Sequence, residues 1–191
     1  MTYEQAKDIL LASYQAEVEY RHGHFIAERR CIESIEQFAK ALVKDNPKFG
    51  IMLCGTCGNG KTTLLYAFQA ALNMLSNWQL WEEPKGVMIV DAKEIAMYAK
   101  NVQRFQELRS RDMLGIEDMG REPTEILDYG NVLSPVIDLL EYRYNQQLFT
   151  IITTNLTAEE IRAKYKPRIA DRFNEMLEVI IFGNQSFRSK K

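Results

Sequence analysis

Cysteine is scarce in this chain, with three residues, Cys31, Cys54 and Cys57, among 191. An odd count with no ladder of spacings excludes a disulfide-stapled miniprotein and makes a reducing, cytoplasmic setting the expectation. Cys54 and Cys57 have C-x-x-C spacing, which suits a redox pair or half of a zinc site. No second Cys/His pair accompanies them, and a stronger glycine pattern runs through the same residues. Histidine is scarcer still: His22 and His24 flank Gly23 and read as a turn, because a metal site would need a third ligand. No apolar run approaches the roughly 20 residues that cross a membrane. Thr2-Tyr3-Glu4-Gln5 also lacks the basic start of a signal peptide, so neither membrane nor export is expected. Excess charge of one sign is missing too, with 24 Lys and Arg against 26 Asp and Glu and a net charge of −2. That excludes a broadly cationic coat for indiscriminate nucleic-acid binding and confines any such contact to local basic clusters. Internal repeats and low-complexity segments are absent.

What is present is an ordinary globular composition, 46% hydrophobic and 26% charged. A chain of this length buries about 70% of its unfolded surface and needs no covalent staples. Thr2 with Gln5 resembles a capping box, and Ala6, Ile9 and Leu10 follow at helical spacing, predicting a helix over 3–20. Ile32, Ile35, Phe38, Ala39, Leu42 and Val43 predict a second helix over 26–44, ending before Asn46-Pro47. From Phe49 the pattern changes. Apolar runs at 49–54, 87–90, 113–116, 149–154 and 179–182 read as strands buried on both faces. Helical patterns lie between them, at 61–75, after the cap Asp91-Glu94, at 131–146, and at 158–176 behind a Thr157-Glu160 capping box. Trp78, Leu80 and Trp81 read as packing residues in a connection. The alternation predicts an α/β chain with a mostly parallel sheet and helices on both faces. The expected organisation is an N-terminal helical segment over 1–25 and one larger domain over 26–191.

The sharpest motif is Gly55-Thr56-Cys57-Gly58-Asn59-Gly60-Lys61-Thr62, which fits G-x-x-x-x-G-K-[ST] between a buried strand and a helix. Glycines permit backbone angles and a close approach that a Cβ would block. Amides from Thr56 through Thr63 can then point at phosphate oxygens, where the following helix also aims its positive end. Lys61 adds a full charge near the β- and γ-phosphates, and Thr62 offers a hydroxyl to magnesium. ATP with Mg2+ is the expected ligand. In that loop Cys57 reads as a small residue and Cys54 as core.

Hydrolysis additionally needs an acid to hold the metal and a group to orient water. Glu117 and Asp118 stand at the end of an apolar strand and suit the acid role, or else are a charged strand end before Gly120. Asn155 follows another strand and can touch the γ-phosphate or the water, or else lead into the next helix. Arg168 and Arg172 are four apart on a predicted helix and share a face, either solvated or offered to a neighbouring subunit's nucleotide.

The ordered set is a phosphate loop, Glu117-Asp118-Met119-Gly120, Thr153-Thr154-Asn155-Leu156, then Arg168-Ile169-Ala170-Asp171-Arg172-Phe173. With the ending Phe182-Gly183-Asn184-Gln185-Ser186-Phe187-Arg188, it resembles the AAA+ ATPase core of DnaC-type helicase loaders and the related IstB-type transposition ATPases. The resemblance covers about residues 26–191. It implies a P-loop NTPase fold without a C-terminal lid domain. Lys61 and Thr62 would be Walker A residues, Glu117 and Asp118 Walker B, Asn155 sensor 1, and Arg172 the arginine finger with Arg168 supporting it. It further implies a helicase or transposase partner and ATP-dependent self-assembly. The family usually has Asp in the first Walker B position, where this chain has Glu117. That substitution makes slow hydrolysis, or a nucleotide-binding adaptor, the alternative to a full ATPase. A small-molecule kinase is a further alternative, but no arginine-bearing lid segment is evident for it.

In loaders of this type the segment before Walker B meets single-stranded DNA. Here it carries Lys93, Lys100, Arg104, Arg109 and Arg111 interleaved with Tyr98 and Phe105. That mixture suits single strands, or equally a solvated helix whose aromatics face the core. Arg162, Lys164 and Lys166 form a second basic cluster, and Arg188, Lys190 and Lys191 a third.

Overall fold

The computed structural model describes residues 1–183, 186 and 187. Asn184, Gln185 and Arg188 of the closing motif, and the tail residues Lys190 and Lys191, lie outside the described residues.

Helices and strands alternate from the phosphate loop onward. The order is α1 (Tyr3–Tyr20), α2 (Arg29–Val43), β1 (Gly50–Gly55), α3 (Lys61–Asn77), β2 (Met88–Asp91), α4 (Ala92–Ala99), α5 (Val102–Arg109) and β3 (Met113–Met119). It continues with β4 (Ile126–Asp128), β5 (Asn131–Leu133), α6 (Pro135–Asn145), β6 (Phe149–Thr154), α7 (Ala158–Met176) and β7 (Glu178–Phe182). The five long strands make a parallel sheet in the order β2-β3-β6-β1-β7 flanked by helices, while β4 and β5 pair separately. The expected α/β architecture is therefore present. Each strand returns to the sheet through a helix, the connection that parallel pairing requires.

The chain falls into two compact units. One comprises Met1–Pro47, Leu53–Val87 and the described residues from Val179 on; the other comprises Lys48–Met52 and Met88–Glu178. In the first, α1 packs on α2 and α3. Both side chain–backbone bonds of the Thr2–Gln5 capping box form, at 2.9 and 3.3 Å. Ala6, Leu10 and Tyr14, spaced by four, are the buried stripe of α1. Phe38 of α2 meets Phe68 of α3 edge to face, with centroids 5.2 Å apart, a favoured aromatic geometry. Trp78 and Leu80 do not join this core. They follow the end of α3, and Trp78 is 62% exposed; the helix terminates at Trp78 as its C-cap, so the residues beyond it leave the packed face.

In the second unit, β2 runs parallel to β3 from Met88↔Leu114 to Asp91↔Glu117. On its other side β3 runs parallel to β6. Three sequence expectations are altered here. The helix after Asp91 is two short helices, because Asn101 ends one and its Oδ1 caps the next through the Arg104 amide at 3.0 Å. The helix expected over 131–146 begins only at Pro135, a favoured first helical position. Before it, Asn131–Leu133 pairs with Ile126–Asp128 across a two-residue Tyr129-Gly130 turn in which both φ are positive, the geometry of a tight hairpin. The helix over 158–176 is broken at Lys166 (φ 69°, ψ 156°), since Pro167 disfavours helical geometry in the residue before it.

Arg143 of α6 is fully buried and organises this unit. Its guanidinium donates to Thr150 Oγ1 (2.8 Å) and to the carbonyls of Arg109 (3.0 Å), Arg111 (2.7 Å) and Phe149 (2.7 Å). Burial lowers its pKa to about 10, with Asp112 acting in the opposite direction, so it is charged at neutral pH. The Arg143→Met variant would strand three carbonyls; urea unfolding is expected to show a loss of about 3 kcal/mol. A loss below about 1 kcal/mol would mean that water replaces the guanidinium.

Candidate functional site

The phosphate loop leaves β1 and enters α3 at Lys61. Gly55, Gly58 and Gly60 all have positive φ (144°, 80° and 101°), and an added Cβ at Gly55 would sit 2.5 Å from Asn59 Nδ2. Glycine is required there by space as well as by conformation. Asn59 is fully buried and its Nδ2 donates to the Phe182 carbonyl at 2.9 Å, which ties the loop to β7. The Phe187 amide donates to the Gly58 carbonyl at 2.9 Å. Lys61 Nζ donates to the carbonyls of Gly55 (2.8 Å) and Thr56 (2.7 Å) and to Asn59 Oδ1 (3.1 Å). The loop thus supplies its own lysine with three oxygens. Thr56 and Cys57 are exposed, while Thr62 and Thr63 are half-buried in the first turn of α3. Geometry and donor set fit a nucleotide polyphosphate.

The acidic pair lies near the end of β3, which continues to Met119. Between Ile116↔Ile152 and Met119↔Thr154 the register shifts by one residue, so Glu117-Asp118 occupies a β-bulge. Asp118 there is left-handed (φ 54°). Bulges re-aim side chains where a regular strand would send neighbours to opposite faces. The interrupted ladder is repaired by two threonines that the motif reading passed over as strand residues. The Asp118 amide donates to Thr153 Oγ1 at 2.9 Å, and Thr154 Oγ1 donates to the Met119 carbonyl at 2.7 Å. Both threonines are fully buried. Asp118 Oδ2 accepts from Arg121 Nη1 at 2.6 Å. Asn155 is exposed directly after Thr154; this unit therefore brings Glu117, Asp118 and Asn155 to the ends of two adjacent strands.

Beyond the acids, the loop is clamped to α7. Glu122 is buried and accepts hydrogen bonds from the Gly120 amide (2.8 Å) and from the Tyr165 hydroxyl. Lys164 Nζ donates to the carbonyls of Gly120 and Glu122, both at 2.6 Å. Past the Lys166 break, Arg168 and Arg172 converge on one carboxylate: Glu141 Oε1 lies 3.5 Å from Arg168 Nε and 2.9 Å from Arg172 Nη1. The second contact is an ion pair without hydrogen-bond alignment. Arg172 also lies over the Tyr144 ring at 4.9 Å. The Arg172 side chain is 15% exposed and that of Arg168 73%.

The basic residues ahead of the acids divide. Lys93, Lys100 and Arg104 are exposed, with Tyr98 and Phe105 half-buried beside them. Arg109 is occupied, bonded to Gln106 Oε1 and stacked 4.3 Å over Tyr142. Lys164 is committed to the clamp, and Arg162 pairs with Asp171 at 2.8 Å. Among the described residues, no group of three or more His, Cys, Asp or Glu side chains is arranged to hold a metal on its own, and no helix is long and apolar enough to cross a membrane.

A parallel sheet in this order, with a glycine-turned phosphate loop leaving β1, is the P-loop AAA+ fold. Neither a scan against protein-family models nor a search of curated proteins gives a match. Among solved structures the chain is similar to the DnaC helicase loader (TM-score 0.61, 19% identity, covering 89% of this chain and 98% of that one). It is also similar to DnaI (0.62, 20%, 94% and 92%) and to the replication initiator DnaA bound to AMPPCP and single-stranded DNA (0.56, 18%, 82% and 48%). The fold implied by the resemblance to DnaC-type ATPase cores is thus the fold observed.

None of the three cysteines is in a disulfide. Burial pushes the Cys54 thiol up to about 11, with Lys61 opposing, so its thiolate fraction at pH 8 is about one in a thousand. Iodoacetamide at pH 8 is therefore expected to label exposed Cys57 well before Cys54 or buried Cys31, as read by peptide mass mapping. Preferential labelling of Cys54 would contradict the loop geometry.

Proposed function

We propose that this chain is an ATP-binding, ATP-hydrolysing AAA+ protein that acts in DNA replication initiation as a DnaC-like loader of a replicative helicase. The observation carrying this reading is the phosphate loop, preformed by left-handed glycines and holding Lys61 on oxygens that phosphates can replace. The order of the remaining motifs and the likeness in fold to loaders support it. The setting is cytoplasmic, and membranes play no part.

The amides of Thr56 through Thr63, among Gly58, Asn59 and Gly60, bind phosphate oxygens, and Lys61 leaves the Gly55 and Thr56 carbonyls to meet the β- and γ-phosphates. Thr62, Glu117 and Asp118 hold magnesium, which when bound neutralises charge on the phosphate oxygens. Glu117 also orients the attacking water with Asn155. Arg172 leaves Glu141 to complete the site of a neighbouring copy, with Arg168 supporting it, so activity depends on ATP-driven homo-oligomerisation. Lys93, Lys100 and Arg104 give a weak, salt-sensitive hold on single-stranded DNA. A second reading, a nucleotide-binding adaptor with little hydrolysis, is favoured by one observation: Asp118 is already paired with Arg121.

The deciding experiment is ATPase turnover with and without single-stranded DNA, across protein concentration. Turnover per molecule is expected to rise with concentration and with DNA. Lys61→Ala should abolish nucleotide binding, whereas Arg172→Ala should keep binding and lose about a hundredfold or more in turnover. Turnover that stays flat with concentration would remove the trans-acting arginine; bound ATP with no turnover would select the adaptor. Neutralising Lys100 and Arg104 together should weaken DNA binding and reduce the salt slope by about two; unchanged affinity would relocate the DNA contact.

A further inference from the structure

The first helix carries a residue that the phosphate-loop pattern leaves out. Tyr14, on the buried stripe of α1, is 2% exposed. Its hydroxyl lies where a side chain on Gly60 would be: an added Cβ there would sit 2.1 Å from Tyr14 Oη. Glycine at 60 is thus demanded from two directions, by its φ of 101° and by the tyrosine packed against it. Thr63, in the first turn of α3, and Cys31 of α2 both neighbour the same hydroxyl. Phe25 closes over the ring edge-on at 6.1 Å, and Arg21, the C-cap of α1, lies 4.9 Å over Tyr66 of α3. Burial is the chief reason its hydroxyl is held un-ionised.

A hydroxyl buried at the meeting of α1, α2 and α3 and packed against Gly60 has little room to move, and its position bears on the turn that aims amides 58–63. We infer that Tyr14 is a positioning residue for the nucleotide: it buttresses the Gly60 turn and wires α1 to the occupancy of the phosphate loop. This rests on the nucleotide reading above. Its consequence is reciprocal. Nucleotide that orders the loop also tightens α1 on α3, and a ligand of α1 whose affinity nucleotide changes by some factor changes nucleotide affinity by the same factor. Helix α1 then belongs functionally to the phosphate loop rather than to an appended segment.

The test uses the full chain and two measurements. Hydrogen exchange of the α1 amides is followed in the wild type with and without ADP and a non-hydrolysable ATP analogue. Affinity for both nucleotides is then measured for wild type and Tyr14→Phe, alongside apo melting temperature and helicity. The expected result is slower exchange over residues 10–18 when nucleotide is bound. In Tyr14→Phe, affinity falls about five- to tenfold, the scale of one hydrogen bond, the nucleotide-dependent protection of α1 is lost, and apo helicity is retained. Nucleotide binding without any change in α1 exchange overturns the coupling and leaves the nucleotide reading intact. That wild-type arm decides the matter even if Tyr14→Phe fails to fold. Equal affinity of the folded variant and the wild type also overturns it. No nucleotide binding by the wild type overturns the functional reading and this inference with it.

Discussion

A strand buried between neighbours on both sides cannot leave backbone amides or carbonyls unpaired, because each stranded group costs about 1–3 kcal/mol. The acidic end of β3 must nonetheless break the ladder so that Glu117 and Asp118 can leave the regular alternation of faces. The two demands meet in the bulge. Thr153 receives the Asp118 amide and Thr154 donates to the Met119 carbonyl, so hydroxyls replace the missing backbone partners. The left-handed Asp118 is tolerated because these bonds over-determine it. The same economy governs the other end of β6, where Thr150 meets Arg143. Threonine recurs along this strand because it is both a good strand former and a compact source of a buried hydroxyl.

The phosphate loop obeys a related rule with a different solution. On the nucleotide reading proposed above its amides stay available for phosphate, and the loop is shaped by groups that bind its other atoms. Asn59 holds the Phe182 carbonyl, the Phe187 amide holds the Gly58 carbonyl, and Lys61 gathers the carbonyls of Gly55 and Thr56. For the proposed nucleotide the conformation is largely prepared, since moving Lys61 from these oxygens to phosphate oxygens would be a small rearrangement. Such preparation favours affinity because little ordering cost is left to binding.

Much of this was legible beforehand. The glycine-lysine motif carries its own geometry, since few other sequences tolerate three left-handed turns beside a lysine. The Thr2–Gln5 and Thr157–Glu160 boxes located two helix starts, as both are local bonds within four residues. The sequence misled where local pattern and tertiary demand diverge. Asn131–Leu133 carries apolar spacing compatible with a helix, yet pairs as a hairpin, which leaves Tyr129 fully exposed at its tip. Trp78 read as core because tryptophan buries large area, but its place depends on where α3 happens to end. Lys166-Pro167 should have been read as a helix break, since proline constrains the residue before it.

What the sequence determined alone was what contacts a few residues apart encode: the glycine-turned loop before Lys61, two helix caps and the alternation of strands with helices. What only the tertiary structure decided was the company those residues keep. That Glu117 and Asp118 sit in a bulge repaired by Thr153 and Thr154, that one carboxylate, Glu141, receives both Arg168 and Arg172, and that Tyr14 fills the space beside Gly60 all depend on residues tens of positions apart. Those pairings follow from how the sheet and helices close around buried polar groups, a constraint with no trace in any local window of the chain.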